Sequence, residues 1–230
     1  MPTNPNIKLT KEIRTNKLLA IVMIIVIGIC GTFSIVWAED LYDQKFAIGI
    51  RGGTFLADGE PSNDLPMFGI YGRYNWSEKW NLGLSLDYLS GDFEKPYKLL
   101  GINSTTELDS DMTNIIITIW GEREFSLKSQ KLKPYIAGGI GIGLVDADDL
   151  SGNVSGGGQF DIKTDGGTEY IPALAVGLRY LFSKRWEAEI AVRYSYHIAD
   201  WDVEDRISGK SDSVDNYSTY GFYLGLGFRF

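Results

Sequence analysis

The chain has 230 residues but one cysteine, Cys30, and one histidine, His197. A lone cysteine rules out an internal disulfide, and a chain cut after residue 38 would have no thiolate chemistry at all. Proline (7) and methionine (4) are scarce. Basic patches are missing too, which disfavours nucleic acid as a partner. The mean hydropathy of −0.09 is far too polar for a bundle of membrane helices. It leaves a membrane barrel open, because only alternate residues of such strands face lipid. The run Gly138-Gly139-Ile140-Gly141-Ile142-Gly143 opens no helix, so it is not a nucleotide-binding loop. No cofactor and no metal site is expected. Glycine (27), tyrosine (13), phenylalanine (11) and tryptophan (6) are plentiful. Aromatics mixed with glycine point to an all-β protein.

The first 38 residues differ in kind. Lys8, Lys11, Arg14 and Lys17 precede an uncharged, mostly apolar stretch over 18–38 that closes on Val36-Trp37-Ala38. This is the pattern of a signal peptide cleaved after Ala38, leaving a domain over 39–230. An uncleaved anchor is the alternative, since the apolar stretch is long enough to span a bilayer. Ile29, which is not small, argues against lipidation of Cys30. Removing residues 1–38 takes away four basic residues and one acidic residue, so the net charge moves from −8 to −11.

Eight strand-like segments follow, at 45–55, 67–76, 80–89, 112–125, 134–145, 170–182, 186–197 and 220–230. In the last, Tyr220, Phe222, Leu224, Leu226, Phe228 and Phe230 alternate with mostly glycine. A strand has a side-chain period of two, so one face is greasy and the other small or polar. In the third, Trp80, Leu82, Leu84, Leu86 and Tyr88 oppose Asn81, Gly83, Ser85 and Asp87. In the fourth, odd positions face out, which places Asn114, Thr118, Glu122 and Glu124 inside. The connections around 77–79, 126–132 and 183–185 are short. Those around 56–66, 90–111, 146–169 and 198–217 are long. Strict alternation of short and long is the asymmetry of an eight-stranded antiparallel up-and-down transmembrane β-barrel, with short periplasmic turns and long extracellular loops. Trp76, Trp80, Phe182 and Trp186 fall at the short-turn end, Tyr88 and Tyr196 near the other. Two belts of interfacial aromatics are expected there. A soluble barrel with aromatics in its core is the alternative, and it accounts poorly for outward faces this uniformly apolar.

The strand pattern, Lys133-Pro134-Tyr135-Ile136-Ala137-Gly138-Gly139 opening the fifth segment, and Gly225-Leu226-Gly227-Phe228-Arg229-Phe230 closing the chain resemble the small outer-membrane β-barrel superfamily. That superfamily includes the transmembrane domain of outer membrane protein A, opacity-type surface proteins and OmpW-like proteins. The resemblance covers about 39–230. It implies an outer-membrane location in a Gram-negative bacterium, a terminal Phe228/Phe230 signal read by the barrel assembly machinery, and contact with outer-membrane lipid and lipopolysaccharide. The peptidoglycan-binding activity of some relatives is not carried over.

The inner faces collect charge: Arg51, Arg73, Arg179, Arg193 and Arg229 with Asp87, Glu122, Glu124, Glu187 and Glu189. Every inward base is arginine, which forms bidentate pairs and suits buried networks. An eight-stranded barrel is just wide enough for side chains to fill. An ionic plug is therefore the leading expectation, and a narrow polar or gated path the alternative. The glycines at 139–143 are expected to make room for arginine. His197, beside Ser195, is expected at a solvated rim. In some relatives a rim histidine serves lipid A acyl-chain chemistry, but the spacing here matches no such motif closely. The acidic loops carry only a loose likeness to a calcium loop, and the Gly/Ser-rich third loop, with Ser151, Gly152, Ser155, Gly156, Gly157 and Gly158, is expected to be mobile. The leading function is a non-enzymatic surface protein that is structural or binds a ligand through its loops. The alternatives are a small porin-like channel and a lipid-modifying enzyme.

Overall fold

The computed structural model describes residues 44–58, 64–93, 100, 102, 110–127, 131–153, 158–164 and 166–230. The expected signal segment lies outside them. Among the described residues the chain forms twelve strands in the order β1 (Phe46–Asp58), β2 (Asp64–Asn75), β3 (Trp80–Phe93), β4 (Ser110–Glu124), β5 (Leu132–Ala147), β6 (Leu150–Asn153), β7 (Gln159–Thr164), β8 (Gly167–Leu181), β9 (Trp186–Asp200), β10 (Asp202–Asp205), β11 (Lys210–Ser213) and β12 (Tyr217–Arg229).

Eight of these close into an antiparallel barrel in the order β1-β12-β9-β8-β5-β4-β3-β2. The register of β1 and β12 runs from Ala47↔Arg229 to Asp58↔Ser218. Phe46 and Phe230 then exchange backbone hydrogen bonds of 3.0 and 2.9 Å. Closure pairs every strand on both sides, which backbone polar groups require where lipid offers them no partner. Alternation does the rest. Ile48, Ile50, Leu82, Leu84, Ile136, Ile142, Leu174, Val176, Ile190, Val192, Leu224 and Leu226 point outward, and Ile140 is 74% exposed. On β4 the even positions are the buried ones.

At one end, here the near end, two tight turns repeat a device written in the sequence. The Ser77 hydroxyl accepts from the amides of Lys79 (3.4 Å) and Trp80 (3.1 Å). The Ser183 hydroxyl accepts from Arg185 (3.2 Å) and Trp186 (3.0 Å). A serine that satisfies the amides two and three residues on fixes a short turn without glycine.

The far end departs from expectation. Barrel strands run on beyond their apolar stretches, β3 to Phe93, β8 back to Gly167 and β9 out to Asp200. Pairing continues there with polar side chains, so hydropathy no longer marks it. The third connection also contains strands rather than only a mobile loop. Ser151 and Gly152 lie in β6, paired with Asp161 and Phe160 of β7. Ser155, Gly156 and Gly157 lie outside the described residues. β7 pairs in turn with β10, through Val203↔Thr164 and Asp205↔Ile162. Two connections thus zip into one four-stranded sheet, β11-β10-β7-β6. Its Phe160, Ile162 and Val203 are buried and belong to the same cluster as Met112, Val145, Ala147, Leu65 and Leu89 of the barrel.

The glycines of β5 have a different purpose from the one expected. A Cβ on Gly139 would lie 2.7 Å from the Trp120 ring, on Gly141 2.8 Å from the Thr118 hydroxyl, and on Gly143 2.7 Å from Asn114 Oδ1. They make room for the neighbouring strand's indole, hydroxyl and amide, not for arginine.

Candidate functional site

The barrel interior is the candidate site, and its charges lie in tiers set by strand register. Nearest the short turns, Arg73 Nη2 bonds both Glu187 oxygens, at 2.7 and 2.8 Å. Arg229 Nε is 3.7 Å from the same carboxylate. One step in, Arg179 reaches Glu122 at 2.7 Å, Glu124 at 2.9 Å and Glu189 at 3.4 Å. Lys133, half-buried, adds a 3.2 Å bond to Glu124. The Arg179 guanidinium lies 3.9 Å from the centre of the Tyr135 ring. The Tyr135 hydroxyl donates to Glu189 and sits 3.2 Å from the Tyr223 hydroxyl.

In the middle tier Asp87 is shared. Arg51 holds it with two bonds, at 2.8 and 2.6 Å, and Arg193 with one at 2.9 Å. Arg193 also donates to Ser195 at 2.8 Å, and Trp120 Nε1 to Ser85 at 3.0 Å. Arg193 stands over the Trp120 and Phe55 rings at 5.1 and 5.7 Å. All ten charged residues named from the sequence therefore meet opposite charge inside the barrel, and arginine forks and aromatic faces fill the space between them. A cavity between the tiers is lined by Tyr71, Arg73, Trp120, Arg179 and Tyr223.

A third tier was not legible as a unit. Glu169, fully buried, accepts from Asn114 Nδ2 (2.7 Å), the Tyr217 hydroxyl (2.9 Å) and Trp201 Nε1 (3.3 Å). It also bonds His197 Nδ1 at 2.8 Å, and His197 Nε2 lies 3.1 Å from the Thr219 hydroxyl. The imidazole stacks on Tyr217 at 4.4 Å. The expectation of a solvated rim histidine is corrected: His197 is 1% exposed. Its strand continues three residues further and the four-stranded sheet buries the end of the barrel. Glu169 was missed because the strand was expected to begin one residue after it. Tyr71, Tyr135 and Tyr223 are inward residues that the period-two alternation could have supplied.

The remaining sequence candidates sit on the outside. Trp76 is 76% exposed, and Trp80, Trp186, Phe182, Tyr88 and Tyr196 also project outward. Phe228 and Phe230 belong to a chain of rings across the closing seam: Trp186–Phe228 5.2 Å, Phe228–Phe230 6.4 Å, Phe230–Phe46 5.9 Å and Phe46–Tyr74 4.9 Å.

A family model described as outer membrane protein beta-barrel domain matches residues 29–230. The crystal structure of Neisserial surface protein A is similar, at a TM-score of 0.53 and 13% identity over 81% of this chain and 97% of that one. The attachment invasion locus protein Ail of Yersinia pestis matches over 80% of this chain and 96% of its own, at 15% identity and a TM-score of 0.45. The outer membrane protein AlkL matches over 84% and 93%, at 20% identity and a TM-score of 0.43. No curated protein matches. Likeness at these identities concerns the fold.

Proposed function

Because the chain belongs to the outer membrane protein β-barrel domain family, we propose that it is a non-conducting surface barrel that acts through its far end. The observation that carries this is the filled interior. Buried ion pairs cross the barrel from Arg73–Glu187 through Arg179–Glu122 to Arg51–Asp87, with Trp120 and Tyr135 packed among them. An ion would have to displace arginines whose partners are fixed by two or three bonds each. Beyond these tiers Phe160, Ile162, Val203 and Trp201 add a buried apolar layer beneath the sheet.

In this reading the near end faces the periplasm, the sheet faces outward and offers its exposed β11 and β6 edges to an extracellular ligand or to lipopolysaccharide, and Phe230 guides assembly. The apolar leader over 1–38 directs export. The test is single-channel conductance of the folded barrel in a planar bilayer. A silent, heat-modifiable barrel is expected, and steady reproducible steps would overturn the plug in favour of a small-solute channel.

One observation favours a second reading. Thr219, His197 and Glu169 stand in the hydroxyl–imidazole–carboxylate order of a nucleophilic relay. The hydroxyl is buried, so a lipid ester would reach it only with the sheet displaced. Acyl release from lipid A that is lost in His197→Ala and kept in Arg206→Ala would establish that chemistry.

A further inference from the structure

Charge is distributed very unevenly between the two ends. At the near rim, three connections are neighbours around the barrel, between β2 and β3, β4 and β5, and β8 and β9. They and the adjoining strand ends expose Lys79, Arg123, Lys131, Lys184 and Arg185. Among the described residues the one exposed acid in this arc is Glu78. Glu122, Glu124, Glu187 and Glu189 lie close by but face inward, paired to Arg73, Arg179 and Lys133, so they do not neutralise the rim. The Leu181 amide bonds the Lys131 carbonyl at 2.8 Å, which sets that connection beside the Lys184-Arg185 turn. The far end is the reverse. Asp58, Asp92, Asp111, Asp200, Asp202 and Glu204 are exposed there, while Arg206 is tied to Asp149 at 2.7 Å and Asp161 at 3.4 Å.

The basic arc is interleaved with membrane anchors. Trp76, Trp80, Phe125, Leu127, Phe182 and Trp186 are all exposed along it. Arg123 occupies an outward position on β4, opposite Trp80. Its guanidinium lies 5.6 Å from the Trp80 ring and 5.7 Å from the Phe125 ring. Two rings of the kind that sits at headgroup depth hold the cation at that depth, where an arginine meets phosphate. Its fork fits a phosphodiester with two parallel bonds, and the surrounding lysines add field rather than geometry.

We propose that this arc is a binding site for anionic phospholipid headgroups, with Arg123 as the anchor and Lys131, Lys184 and Arg185 as the surrounding field. Charge complementarity selects an anionic glycerophospholipid over a zwitterionic one. The opposite rim, acidic among the described residues, repels the same headgroups. The site therefore also biases which leaflet each end of the barrel prefers. It rests on membrane insertion and not on whether the lumen conducts.

The test uses the whole protein reconstituted in phosphatidylcholine bilayers doped with brominated lipid. Trp76, Trp80 and Trp186 face the annulus and report contact by quenching, whereas Trp120 and Trp201 are buried inside. Brominated phosphatidylglycerol is expected to quench at roughly five-fold lower mole fraction than brominated phosphatidylcholine at low salt, since a basic residue near an anionic surface contributes about that factor. The preference should shrink as salt rises. The Arg123→Gln/Lys184→Gln/Arg185→Gln variant should lose most of that preference, and Lys210→Gln, at the far end, should keep it in full. Equal quenching in the wild type, or a preference that the triple variant retains or Lys210→Gln loses, overturns the proposal. All four side chains are exposed, and heat-modifiable migration verifies that each variant is folded. Should the triple variant not fold, Arg123→Gln alone must lower the preference, and an unchanged preference there counts equally against the site.

Discussion

Asp87 is the residue on which the middle tier depends. It is fully buried and carries two arginines. Removing it leaves both guanidiniums without a carboxylate, whereas removing Arg193 leaves Asp87 still held by Arg51. Breaking a buried pair by deleting one partner costs about 3–5 kcal/mol. Asp87→Ala is expected to lose about that much, and Arg193→Leu clearly less, because its shape is partly replaced and the remaining bidentate pair is intact. Urea unfolding in lipid vesicles, read by the shift on gels between heated and unheated samples, measures both. Equal losses would show that the two arginines do not share Asp87. Residues of this kind were legible one at a time. Arg51, Asp87 and Arg193 each fall on an inward position by simple alternation. Which arginine meets which acid was not legible, because partners stand as far apart in sequence as Arg193 and Asp87 and meet only across a closed barrel.

Among the elements, the closing seam and the loop sheet each support a test. The ring chain through Phe46, Phe228 and Phe230 joins β1 to β12, and Phe230 also pairs its backbone with Phe46. Phe230→Ala is expected to lower the stability of the refolded barrel by about 1–2 kcal/mol, the worth of two such ring contacts. An unchanged unfolding midpoint, together with poor assembly in cells, would assign Phe230 to assembly rather than to stability.

In the loop sheet, Asp205 ends β10. Burial works against its charge, but the Ser208 hydroxyl and the amides of Asp161, Ser208 and Ile207 donate to it and hold its carboxyl below the usual carboxylate range. Because the folded value is the lower one, this contribution is complete above the ordinary carboxyl pKa of about 4 and is lost as pH falls through the folded value. Asp205→Ala should cost the sheet about 1–3 kcal/mol at neutral pH through its unmet donors. Faster amide exchange at Asp161 and Ser208 would show it, and wild-type protein should match the variant only in acid. The sheet escaped the sequence because its strands are four to six residues long and the pairing that unites them, β7 with β10, runs between two connections.

On the scale of the whole molecule, closure is a collective property. Trp120, Tyr135 and Tyr223 keep filling the interior when any one ion pair is cut, so Asp87→Ala is expected to be less stable yet equally silent in a planar bilayer. Conductance that appears with that single change would mean the pair itself is the gate. Charge asymmetry is likewise a property of the whole, since it emerges only once the connections between β2 and β3, β4 and β5, and β8 and β9 are gathered at one end.

The sequence by itself determined the eight barrel strands and their inward and outward faces. These follow from a period of two and from turn chemistry, both local. Tertiary structure alone decided three things: the pairing of buried charges, the burial of His197 with Glu169, and the joining of two connections into a sheet. Each depends on distances across the barrel, and no periodicity along a chain encodes a distance that exists only after the first strand has met the last.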